Sequence, residues 1–184
     1  MSSSPVVSGG KSDAGFSLID LLFVIALIGL MCTMAIPGLM RARGAAMSAS
    51  ALGTLKVVNG AQLSFAITCG LGFYSPDFPT LGVAPPMSPD AYLPPELSAG
   101  PTVVKSGYLF SMAGVPVPGA PGSCNGLGAG AASTGYAIVA DPLDTTPKAK
   151  FLASNADGVI YEDSGTFSGT MPESGAPPSG TPIK

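Results

Sequence analysis

The chain has 184 residues, room for about one domain, with a net charge of -3 and only 10% charged side chains. That balance offers no basic footprint for nucleic acid, and the absence of histidine removes His-based catalytic triads and His-containing zinc sites. Glycine and proline number 25 and 19, a bias toward turns and loops over long regular elements, while hydrophobic residues reach 46%.

Residues 1–15 are short, polar and rich in Ser and Gly, with Lys11 their only basic side chain, and read as a leader rather than as structure. An apolar segment follows from Phe16. After Asp20 no charge occurs until Arg41, and the twenty uncharged residues between them suffice, at about 1.5 Å each, to cross a hydrocarbon layer of roughly 30 Å. An ionisable side chain at the centre of such a segment costs about 2.5–3.5 kcal/mol, so Asp20, near its entrance, is a functional candidate. A secretory signal has a shorter apolar region of about 7–15 residues and a small-residue cleavage site. Here the run is longer and carries an acid, although Gly44, Ala45 and Ala46 do follow it.

The order polar leader, Gly15, Phe16, Ser17, Leu18, Ile19, Asp20 and apolar helix resembles the class III signal of type IV pilins and type II secretion pseudopilins. The match to that family's G-F-[ST]-L-I-E pattern is complete except at the last position, where Asp20 replaces the usual Glu, and the resemblance spans about residues 11–45. It implies cleavage between Gly15 and Phe16 by a membrane prepilin peptidase, methylation of the Phe16 amine, and assembly with other subunits into a helical filament. It further implies single-pass residence in the inner membrane, contact with the assembly machinery there, and a final place in a periplasmic or cell-surface filament. The leader is then cytoplasmic. Counting cations alone, Lys11 and the amino terminus against Arg41 and Arg43, favours the opposite orientation.

After such a cut, Asp20 stands four residues from a free amine, in the first turn of a helix whose dipole favours a carboxylate by about 0.3–1 kcal/mol. In a shared apolar bundle an unpaired acid is costly, so pairing with a neighbouring subunit's amine would make Asp20 a register device for assembly. Gly29 and Pro37 punctuate the helix; proline removes one backbone hydrogen bond, so a kink or loosened stretch is expected over about Met34–Pro37. The family's filaments have an unwound stretch there, which implies a helix-loosening role for Gly29 and Pro37. Close helix packing is an equal reading for Gly29.

Beyond Arg41, Ala51, Leu55, Val58, Gln62 and Phe65 recur at helical spacing, with Lys56 and Asn59 elsewhere, which predicts an amphipathic helix over 41–68 stopping at Gly70. Cys32 lies in the apolar run and reads as a small buried hydrophobe rather than a ligand or nucleophile. Cys69 and Cys124 fall on the exported side, where an oxidising compartment permits a disulfide. Residues 70–102 read as an ordered Pro/Gly-rich loop anchored by Tyr74, Phe78, Leu81, Tyr92 and Leu93. Strand-like runs follow at Val103–Met112, Gly135–Ala140, and Lys150–Ser154 with Val159–Glu162 flanking a turn at Asn155-Ala156-Asp157-Gly158.

The expected fold is therefore α+β, a long N-terminal helix packed on a small antiparallel sheet, which resembles the pilin domain. Residues 1–15 are the leader, 16–40 the membrane and filament-core helix, 41–68 its amphipathic half, 69–163 the globular domain, and 164–184 a flexible tail with little to bury. Asp141, Asp144, Asp157, Glu162 and Asp163 lack calcium-loop spacing and read as solvated turn residues. No cofactor or metal site and no nucleophile with a nearby base can be argued, and an enzyme is not expected. A membrane-anchored domain that never polymerises, and a protein released by ordinary signal peptidase, remain as alternatives.

Overall fold

The computed structural model describes residues 17–86, 88–144 and 149–183. Helix α1 (Leu18–Thr68) opens the described chain, followed by two one-turn helices, α2 (Phe78–Leu81) and α3 (Pro95–Ser98). Six strands complete it: β1 (Thr102–Lys105), β2 (Tyr108–Ala113), β3 (Ala137–Pro142), β4 (Phe151–Asn155), β5 (Ile160–Asp163) and β6 (Thr181–Ile183). The described residues divide into two compact units, which part between Ala42 and Arg43.

In the second unit the helical period does the organising. Ala51, Thr54, Leu55, Val58, Ala61, Gln62, Phe65 and Ala66 are the buried residues of α1, one stripe repeating every three or four positions. Of these, Ala51, Leu55, Val58, Ala61 and Phe65 share a core with Val103, Phe110, Met112, Ile138, Ala140, Leu152 and Ile160 of the sheet and with Phe78, Leu81, Leu93 and Leu97 of the intervening loop. Complete burial of Leu55, Val58 or Phe65 contributes about 1.5–3 kcal/mol each. Asn59, which the sequence leaves off this stripe, does reach the sheet: its Nδ2 donates to Ser154 Oγ at 2.7 Å, and the Tyr136 hydroxyl donates to its Oδ1 at 3.2 Å. Asn59 is a polar contact within an otherwise apolar interface, which hydrophobic periodicity does not report.

The helix ends at Thr68. Leu71 and Gly72 take positive φ values of 52° and 92°, and the Gly72 amide donates to Ala66 O at 2.8 Å, closing the last turn. Gly70 is needed for close approach, since a Cβ there would lie 2.3 Å from Phe73 O. A disulfide joins Cys69 to Cys124, with Cα atoms 5.0 Å apart, and ties the helix end to a glycine-rich loop.

The strands form one antiparallel meander in the order β1-β2-β3-β4-β5-β6. The run Val103–Met112, read as one strand, is a hairpin of two. Ser106 and Gly107 turn the chain with φ of 50° and 79°, both central residues positive as a two-residue hairpin of matching twist requires. The positive φ is what favours glycine at 107; a Cβ there would also displace the Met47 methyl, the free end of a flexible side chain. The β4–β5 hairpin turns where the Asn-Ala-Asp-Gly stretch indicates, with Gly158 at φ 74°.

The segment after β5 corrects the expectation of a flexible tail over 164–184. Phe167 and Met171 are buried against Val139, Ala153 and Tyr161 on the sheet face opposite α1, forming a second core cluster. The fully buried Asn155 then donates to Pro172 O at 3.2 Å and Gly175 O at 2.7 Å, and Asp157 Oδ2 accepts from the Gly175 amide at 2.7 Å. Glu173 accepts from the Val115 amide, and β6 pairs with β5. Composition suggested little to bury; two hydrophobes and a set of backbone bonds suffice because the sheet's second face would otherwise stay bare.

Candidate functional site

The residues that the sequence singles out lie mostly on the first half of α1. Ser17 precedes the helix, and its carbonyl accepts from the amides of Asp20 at 3.0 Å and Leu21 at 3.3 Å. Asp20 is thereby the third helical residue, with Ser17 at the capping position, a spacing that suits an N-terminal carboxylate in any helix. This local signal accounts for an acid at position 20 beside any role in assembly. Gly15 and Phe16 lie outside the described residues.

From Leu18 to Met40 the large apolar side chains are uncovered: Phe23 is 64% exposed, Met31 70% and Leu39 72%. The helix is long and apolar enough to cross a membrane. Such a surface has no equivalent in the second half, where the stripe from Ala51 to Phe65 is sealed by the sheet. The isolated chain therefore leaves about 20 consecutive apolar residues facing water, an arrangement that only lipid or other apolar surface can relieve.

The loosened stretch expected over about Met34–Pro37 is not present in this single chain: the helix runs unbroken across Gly29 and Pro37. Pro37 lacks the amide that would serve the Thr33 carbonyl, and one missing bond among flanking intact turns does not unwind a helix. A Cβ built on Gly29 would meet nothing within 4 Å, so packing inside this chain does not require glycine there. Cys32, expected to be buried, is instead a free and exposed thiol, because nothing among the described residues covers this half of α1.

Chemistry elsewhere is dispersed. No group of three or more His, Cys, Asp or Glu side chains converges on a metal-sized site among the described residues. Asp141 accepts from the Thr166 hydroxyl at 2.8 Å, Glu162 pairs with Lys150 at 2.8 Å, and Asp163 accepts from the Ser164 amide at 2.6 Å. Hydrogen bonds from the Ser179 hydroxyl and the Ser164 amide hold the Asp163 carboxyl below its ordinary value. These acids serve separate turns.

No family model, curated protein or solved structure matches the chain. The features of the chain that bear on its function are the leader sequence and the two unlike halves of α1.

Proposed function

We propose that this chain is a structural subunit of a type IV pilus or pilus-like secretion filament, anchored in the membrane by residues 16–40 until it assembles. The leader is removed after Gly15, Phe16 becomes the methylated amino terminus, and the apolar half of α1 passes from lipid into a bundle of like helices. One observation carries this reading: a Gly-Phe-Ser-Leu-Ile-acid motif runs directly into a helix whose next twenty residues are uncharged and uncovered, while the same helix forms the core of a folded domain further on. Both surroundings available to that half, lipid and neighbouring helices, bury its apolar side chains, and Asp20 is the one charge that distinguishes them. In lipid it stays near the interface; in the bundle it is stabilised only when paired.

A second reading, a single-pass anchored domain that does not polymerise, is favoured by helix length alone. Mass spectrometry of the mature amino terminus separates the two: methylated Phe16 is expected for the filament subunit, and a chain retaining Met1 or cut elsewhere defeats it. Within the filament reading, Asp20→Ala leaves cleavage intact and abolishes filament recovery, whereas normal filament yield from that variant refutes the pairing role.

A further inference from the structure

We propose that Arg41 and Arg43 form a collar that binds the headgroups of anionic phospholipids where α1 leaves the membrane; this rests on the membrane-anchor reading above. Between Leu21 and Leu55 these are the two charged side chains, and both are positive and exposed. They follow directly on the uncharged run. Asp20 and Arg41 are 21 positions apart, and at about 1.5 Å per residue that separation is roughly 30 Å, one hydrocarbon thickness, so Arg41 reaches the headgroup layer when Asp20 occupies the opposite interface. Among the described residues neither arginine has a carboxylate within ion-pair distance, the two ion pairs being Lys105–Glu96 and Lys150–Glu162.

Their placement on the helix selects the occupant. Two residues apart in an α-helix are about 160° apart around the axis, so Arg41 and Arg43 point to nearly opposite sides. In the unassembled chain, one protein partner seated on one face would meet only one of them. A lipid leaflet surrounds the helix and meets both, and a guanidinium fits phosphate oxygens in a bidentate fork.

The test uses the full chain reconstituted in phosphatidylcholine bilayers, with spin-labelled phosphatidylglycerol or phosphatidylcholine reporting the lipid held against the protein. A preference for phosphatidylglycerol of about two- to fivefold is expected, consistent with the attraction of a cation near an anionic surface. It falls toward one in the Arg41→Gln, Arg43→Gln double variant, takes an intermediate value in each single variant, and is largely kept when both are lysine. An inserted chain with no preference overturns the proposal, as does a preference carried wholly by one arginine. Inorganic phosphate at constant ionic strength leaves the preference unchanged; its abolition there would mean a free-anion site and also overturn the collar. A chain that immobilises no lipid at all fails the anchor reading itself, a distinguishable result.

Discussion

Replacing Cys69 and Cys124 together by alanine tests the energetic role of the crosslink in the outer unit. The bridge joins positions 55 apart, and chain-entropy arithmetic for a loop of that size puts its constraint on the unfolded chain at about 4 kcal/mol. Total stability for a domain is about 5–15 kcal/mol, so the loss is a large fraction of the whole. At roughly 3–4 °C per kcal/mol for a unit of this size, the melting temperature should fall by about 12–16 °C. The folded contacts around the bridge change little, because the Cys124 amide still donates to Cys69 O at 3.3 Å and Cys69 is a small buried site. The assay is near-ultraviolet tyrosine circular dichroism of the full chain in detergent during heating, comparing wild type, the double variant and reduced wild type. Cys32→Ser, at the free thiol, serves as the control and should melt with wild type. A fall equivalent to less than about 1 kcal/mol in both the variant and the reduced protein would refute the loop-constraint account.

Gln62 is fully buried, with its Nε2 donating to Ser75 O at 2.8 Å and its Oε1 accepting from the Ser75 amide at 2.9 Å; Gln62→Leu strands both backbone groups and should cost about 2–4 kcal/mol in denaturant unfolding. Gly107→Val forces a β-branched residue to a positive φ of 79°, so a loss of about 1–3 kcal/mol is expected, with near-wild-type stability refuting the turn assignment. Burial first, and then the neighbouring Tyr74 and Asp157, hold the Tyr136 phenol well above the ordinary 10.0, and burial likewise raises Tyr108. Unfolded tyrosines lose their protons first, so this stability is fully present below about pH 10 and declines as pH rises through the folded values; melting scans between pH 8 and 11.5 check it.

What could be read from the sequence was whatever depends on local order along the chain. The apolar run from Leu21 to Met40 is legible because membrane length and absence of charge are one-dimensional properties. The stripe from Ala51 to Phe65 is legible because a helix imposes its period on the residues it buries, and the end of α1 at Thr68 follows from the Cys-Gly-Leu-Gly stretch beyond it. The Asp-Gly hairpin is legible because positive φ narrows the choice of residue.

Tertiary structure decided what depends on pairing across distance. Ser106-Gly107 carries a turn signal, yet Val103–Met112 reads as a single apolar run until its two halves pair in register, Lys105 opposite Tyr108. Asn59 stands off the apolar stripe by composition and is placed against Ser154 and Tyr136 only when the sheet arrives. Residues 164–184 are mostly Gly, Ser, Pro and Thr with few hydrophobes; the sheet supplies an unfilled second face, and Phe167, Met171 and the hydrogen bonds of Asn155 are enough to order the segment upon it. Local sequence determines which elements form because backbone preference and periodicity act over a few residues. Which polar groups and loop segments those elements recruit is set by surfaces that exist only after folding.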